Sequence, residues 1–429
     1  MANIRGFTAV VFPPALCCLV LLGGCGGGQS VTTPLPTSST LASGTEMLYS
    51  QETVESQILM STLTPASGTL GTFWLACPED VIACESQQND YEPTGFPLVS
   101  PPAGKYIYAA GQVSSSGGVG IWAYSIQDTV GSILPVSGYE PFLPSTAFYS
   151  PTAMLMDGQG KHLYFSDSDP TSHAGVLREF TFLSDTGGLQ ESSPVTTAPT
   201  LNFSIQAADT AGRYLYGWST DSSGNIGISA FALDPSTGTP TEISGSPFPV
   251  AEQLSGWPWG TGDQYVGTGM ALTPSGQFLY AGLQSWSNLD VESGAIYVFS
   301  IDPGTGAPAQ IQGSPISLGE NSWALRLLVH PRGKFLYVSG VQDSGQSITG
   351  ISVYPLDAKS GSIPQTPATF VTIENCCGPF LIDPSGAMLL ESSTSAWSTF
   401  ALDASTGALT ATGAEQLSSG ASGVVVLTP

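Results

Sequence analysis

The sequence predicts an all-β protein: a seven-bladed β-propeller of four-stranded antiparallel blades, closed by the C-terminal strand pairing into the N-terminal blade. Three observations predict it. A short apolar segment, most often ending in tyrosine, recurs as Met47-Leu48-Tyr49, Tyr106-Ile107-Tyr108, Leu163-Tyr164, Leu215-Tyr216, Leu279-Tyr280, Leu336-Tyr337 and Leu389-Leu390. Successive copies lie 52 to 64 residues apart, the length of a four-stranded blade with variable loops. An alternating apolar segment follows each copy, as in Gly120 to Ile126 and Ile296 to Ile301, and supplies the next strand.

Residues 1–24 have the parts of a secretory leader: Arg5, an apolar core reaching Leu19-Val20-Leu21-Leu22, and small residues before Cys25. Pro13-Pro14 interrupts a run already barely long enough to span a bilayer. Leu22-Gly23-Gly24-Cys25 resembles the bacterial lipobox, so Cys25 is expected to carry lipid. The protein is then expected outside the cytoplasm, anchored to the outer membrane and facing the periplasm or the surface. Residues 25–44 form a Gly/Ser/Thr/Pro tether, able to span roughly 25 Å as a flexible chain. The propeller is expected over residues 45–429.

The blade from Ala271 to Leu318 shows the repeat most fully. Thr273-Pro274-Ser275-Gly276 turns its first strand into a second, Gln277 to Ala281. Leu283 to Gly294 reads as a loop, and Ala295 to Ile301 alternates as the third strand. Asp302-Pro303-Gly304-Thr305-Gly306 turns the chain, and a short fourth strand ends at Gly313-Ser314-Pro315. The turn recurs at Asp234, Asp357 and Asp403. An aspartate there closes an Asx-turn and the glycine takes positive φ, so these acids read as structural. Met47 enters on a second strand with no first strand before it. Gly423 to Pro429 matches a first strand with its Thr-Pro stop, which completes that blade and leaves no free edge.

Composition excludes several classes. Gly 51, Pro 33 and only 10% charged residues describe many turns and a surface wetted by neutral polar side chains. A formal charge of −24 repels nucleic acid and phosphorylated metabolites and favours cations. Beyond Cys25, Cys77, Cys84, Cys376 and Cys377 remain, with three pairings open and no zinc-like spacing. A Cys77–Cys84 bridge would leave Cys376 and Cys377 as a vicinal disulfide or as two thiols. No Gly-x-Ser-x-Gly elbow, His-Glu-x-x-His pair, phosphate loop or dinucleotide fingerprint is present. His162 and His330 fall at first hairpin turns, and Lys105, Lys161, Arg213 and Lys334 share one slot after such turns; all read as structural.

His330-Pro331-Arg332-Gly333-Lys334-Phe335-Leu336-Tyr337-Val338, and Ile296 to Asp302 followed by Thr305-Gly306, resemble repeats of the bacterial lactonase family of seven-bladed propellers, the 6-phosphogluconolactonase-like group. The likeness covers about residues 45–429. It implies the fold, and lactone chemistry as one expectation, but the shared residues belong to turns and core. A phosphosugar substrate would call for several arginines or lysines, which the chain does not place together.

In a propeller, the loops joining second to third strands and those joining blades share one face, and that face is expected to bind. Its candidates are Trp257, Trp259, Tyr265, Trp286, Asp290, Glu292, Trp323 and Arg326, with the Cys376-Cys377 pair nearby. The aromatics would stack on a sugar ring or clamp an apolar ligand. The acids would hold a cation, Ca²⁺ being the one cofactor suggested; no dedicated metal motif is present. The leading expectation is a monomeric binding or interaction module for a glycan, small molecule or surface protein, attached to the membrane through its lipid. The alternative is hydrolysis or lactonisation of an unphosphorylated sugar acid. There Arg326, placed on an innermost strand, is the one weak catalytic candidate, stabilising a carboxylate or oxyanion.

Overall fold

A computed structural model describes residues 45–427 apart from a set of connecting segments, the longest being 77–90 and 251–263. The leader, Cys25 and the tether lie outside the described residues, as do Cys77, Cys84, Cys377, Trp257 and Trp259. No helix among the described residues is long and apolar enough to cross a membrane.

The described residues form seven antiparallel sheets, which stand as the blades of one propeller. Every apolar segment found in the sequence is the second strand of a blade: Glu46–Glu52, Tyr106–Val113, His162–Ser168, Tyr214–Asp221, Phe278–Ser287, Phe335–Asp343 and Met388–Ser392. Each is hydrogen-bonded on one side to an innermost strand and on the other to the alternating third strand. Blade 1 is composite. Its innermost strand is the C-terminal Ala421–Leu427, with Met47 opposite Leu427 and Gln51 opposite Gly423.

The core lies between blades, because central strands are apolar on both faces. Tyr216, Trp218 and Ile228 of blade 4 pack with Leu279, Tyr297 and Phe299 of blade 5, all buried. Burial of such side chains stabilises by about 1.5–3 kcal/mol each, so every seam is a hydrophobic interface in its own right.

A second device crosses the seams. The second-strand tyrosines donate their hydroxyls to the turn glycine of the next blade: Tyr49 to Gly131 (2.6 Å), Tyr108 to Gly187 (3.0 Å), Tyr164 to Gly238 (2.7 Å), Tyr216 to Gly306 (2.9 Å), Tyr280 to Gly361 (2.8 Å) and Tyr337 to Gly407 (3.1 Å). Each of these glycines has a φ between 70° and 75°. Burial raises all six phenols well above their ordinary range, so they stay protonated and donate. Blade 7 has Leu390 at this position; there Thr399 Oγ1 reaches the Gly68 carbonyl of blade 1 at 3.4 Å.

The Asx-turns form as the sequence implies. Asp302 Oδ1 accepts from the amides of Gly304 (3.0 Å) and Thr305 (2.7 Å), and Asp234, Asp357 and Asp403 repeat the pattern. The Thr305 amide and hydroxyl and the Gly304 amide hold the Asp302 carboxyl low. The first hairpin turns are capped by Asp157, Asp209 and Asp383, with Thr273 and His330 in that role in blades 5 and 6. His330 accepts the Arg332 amide at Nδ1 (3.0 Å) and presents Nε2 to the Gly386 carbonyl of blade 7 (3.2 Å), which requires a neutral ring; burial lowers its pKa accordingly.

Two readings of the blade from Ala271 are corrected. Leu283 to Gly294 is not a loop: the second strand continues to Ser287 and the third begins at Asp290. The fourth strand does not end at Gly313-Ser314-Pro315. Pro308–Gln310 is followed by Ile316–Glu320, which pairs again with the third strand after a cis Ser314-Pro315 bond.

Candidate functional site

The central hairpin of blade 5 distinguishes this blade from its neighbours. Its third strand, Asp290–Ile301, has 12 residues against 8 and 9 in blades 4 and 6. At about 3.3 Å per residue the excess extends the ribbon by roughly 10 Å. Trp286 pairs with Val291, and Ser287 with Asp290, at its tip. Tyr265, Trp286, Asp290, Glu292 and Trp323 are therefore strand residues rather than loop residues.

These strands bring the candidate positions to one end of the blade. The innermost strand Gln264–Leu272 runs beside the ribbon, with Gln264 opposite Trp286 and Tyr265 opposite Ser285. Ser293 pairs with Glu320 on the other side. The innermost strand of blade 6, Trp323–Val329, lies flush against this edge: a Cβ on Gly294 would stand 2.7 Å from Trp323 Cα, and within blade 6 one on Gly340 would stand 2.1 Å from the Trp323 carbonyl oxygen. Any side chain at either glycine would push Trp323 away.

Innermost strands of three successive blades are irregular where they border the axis. Register shifts fall between Ile205 and Ala207, between Gly267 and Met270, and between Ala324 and Arg326. Such bulges bend a strand and re-aim its side chains. Gln206, Val266 and Arg326 are exposed from them. Among the described residues of blades 5 and 6, Thr268 Oγ1, Gln284 Oε1, Ser285 Oγ and Ser339 Oγ are buried without a protein hydrogen-bond partner. Cys376 is half-buried in the seam between blades 6 and 7, its Sγ 3.8 Å from the Gly340 oxygen.

The arrangement thus unites Tyr265, Trp286, Asp290, Glu292, Trp323 and Arg326 on adjacent strands of two blades. It offers aromatic and acidic positions around a ribbon tip, with one arginine nearer the axis. Among the described residues, no three His, Cys, Asp or Glu side chains converge as metal ligands.

Sequence reasoning passed over a buried charged group in blade 3. Arg178 donates from Nε to Asp167 (3.0 Å) and from Nη1 to Glu191 (3.3 Å), and its guanidinium lies 5.1 Å from the Phe148 ring centre. On the adjacent position Glu179 meets His162 Nδ1 at 2.7 Å. Burial works to raise the Glu179 carboxyl, but hydrogen bonds from His162, Ser192 and Thr181 outweigh it and hold it low. The signal available was a pair of charges, Arg178-Glu179, inside an otherwise apolar strand. Their burial between blades makes them parts of the core.

No family sequence model and no curated protein sequence matches the chain. Solved structures do share its fold. A candidate 6-phosphogluconolactonase from Bacteroides fragilis superposes with a TM-score of 0.61 at 14% identity, covering 91% of this chain and all of its own. A second candidate 6-phosphogluconolactonase, from Bacteroides uniformis, gives 0.60 at 17% identity, covering 89% of this chain and 99% of its own. The periplasmic gluconolactonase of Pseudomonas aeruginosa gives 0.59 at 15% identity, over 90% of this chain and 99% of its own. At such identity the likeness establishes the seven-bladed architecture and nothing of the chemistry.

Proposed function

We propose that this chain is an exported, lipid-anchored propeller that acts as a binding module, with its ligand seated against the blade 5 ribbon and the adjoining edge of blade 6. One observation carries the reading: the ribbon formed by Phe278–Ser287 and Asp290–Ile301 outgrows the strands of its neighbours and gathers Tyr265, Trp286, Asp290, Glu292 and Trp323 at one edge. Aromatic positions around a polar tip suit a sugar ring or an apolar group rimmed by hydroxyls, and the acids suit Ca²⁺ as an accessory ion. The lipid on Cys25 would hold the module at a membrane outside the cytoplasm, and the ring acts as a monomer.

The test is a glycan and small-molecule screen by thermal shift, with and without Ca²⁺, on the wild-type chain and on Trp286→Ala and Trp323→Ala. A ligand bound by the wild type at least tenfold more tightly than by either variant is expected. Equal binding by all three rejects the assignment of this edge. Cys25→Ser is expected to release the protein from the membrane fraction.

Lactone chemistry is the second reading, favoured by the exposure of Arg326 from a bulged innermost strand and by the named activities of the proteins that share the fold. Turnover of unphosphorylated aldonolactones that disappears in Arg326→Ala would replace the binding module with an enzyme.

A further inference from the structure

A cavity of about 400 Å³ opens at the opposite end of the ring, among the first hairpin turns. Blade 3 contributes Asp157, Gln159, Lys161 and His162 to it, and blade 4 contributes Arg213, Tyr214 and Asp234, with Gly304 and Thr305 of blade 5 at its edge. Its volume is in the range of pockets that hold small molecules. The chain has 9 Lys and Arg against 33 Asp and Glu. Two of those nine cations, with one of three histidines, line this single cavity.

Each acid around it has one oxygen engaged. Asp157 Oδ1 accepts the backbone amides of Lys161 (2.8 Å) and His162 (3.4 Å). Asp234 Oδ1 is held by the amides of Ser236 and Thr237. Glu179, outside the cavity, takes His162. Of the two cations, Lys161 is the freer. Lys161 is exposed and forms no ion pair among the described residues. Arg213 uses Nε for Asp209 (2.8 Å) while its side chain remains 45% exposed beside the Tyr214 ring, 5.2 Å from its centre. Gln159 donates to the Ala211 carbonyl at 2.8 Å, which ties the two blades across the opening.

We infer that this cavity binds a carboxylated sugar unit. Lys161 and Arg213 take the carboxylate by charge-assisted hydrogen bonds. The remaining oxygens of Asp157 and Asp234 take ring hydroxyls. A neutral sugar would leave the Lys161 ammonium without a counter-charge, and a phosphoryl dianion would bring a second negative charge against the two carboxylates in the same wall. The free sugar acid and the terminal unit of an acidic glycan present the same chemistry. The site is separate from the blade 5 ribbon and does not depend on it.

Isothermal titration of the purified chain with galacturonate, an oligogalacturonide and methyl galactoside tests this. Saturable binding of the acids is expected, at least tenfold tighter than the neutral glycoside and weakened by salt. Lys161→Glu should lose at least tenfold in affinity with an unchanged melting temperature, since the side chain is exposed, and Lys161→Ala should lose less. Tighter binding of the oligomer identifies a glycan as the source, and equal binding identifies the free acid. Absence of binding by the wild type, equal binding of the neutral glycoside, or undiminished binding by Lys161→Glu each overturns the inference. Binding that is lost in Trp286→Ala and kept in Lys161→Glu belongs to the ribbon and overturns the inference, so failure here and failure at the ribbon are separately read.

Discussion

Glu46 is 4% exposed, and its Oε2 has no protein hydrogen-bond partner. Burial first, and then the charge and hydrogen bond of Asp383 across the seam, push its carboxyl from 4.5 up to about 7. The folded chain therefore keeps a proton that the unfolded chain releases at lower pH. The contribution of this group to stability falls as pH rises from about 4.5 to about 7 and stays low above it. Glu46→Gln is expected to stabilise the protein at pH 8 and to leave it nearly unchanged at pH 4.5, as read from denaturant midpoints. A gain of the same size at both values would show that the Glu46 proton is not involved. None of this was legible in the sequence, because Glu46 and Asp383 are more than three hundred residues apart and meet only when the ring closes. Arg178 was hidden for a related reason: its partners Asp167 and Glu191 stand on the strands either side of it, and strand register alone puts them in contact.

Between elements, the tyrosine-to-glycine hydrogen bond links two features that the sequence shows separately. The apolar pair marks a strand and the Asp-x-x-x-Gly run marks a turn, and their recurrence made both legible. That the strand of one blade reaches the turn of the next was not, since nothing local couples them. Tyr280→Phe deletes one such bond and leaves the Gly361 carbonyl buried without a donor. A loss of about 1–3 kcal/mol is expected from urea denaturation, with no change in secondary structure by circular dichroism; a loss within error of zero would mean that water replaces the hydroxyl. The blade 5 ribbon escaped sequence reading for a different physical reason. Asn288-Leu289 is not a turn pair that favours a tight hairpin, and the polar residues around it carry little of the alternation that betrays a half-buried strand. The candidate residues were legible as an unusual group, while the strands that gather them were not.

At the scale of the whole molecule, seven sheets close into one ring because the last strand of the chain is the first strand of the first blade. Removal of residues 421–429 would strip Glu46–Glu52 of one ladder and open an edge. Such a truncation is expected to elute as aggregates by size exclusion, whereas a soluble monomer would show that the remaining six blades suffice. The same closure has a mechanical side. Glu46–Glu52 is laddered on both edges, to Ala421–Leu427 and to Ile58–Thr64. A pull applied from the N-terminal side acts along the axis of that strand. Two rows of hydrogen bonds must then shear together instead of unzipping one at a time, so the point where the ring is joined also resists a pull along the chain.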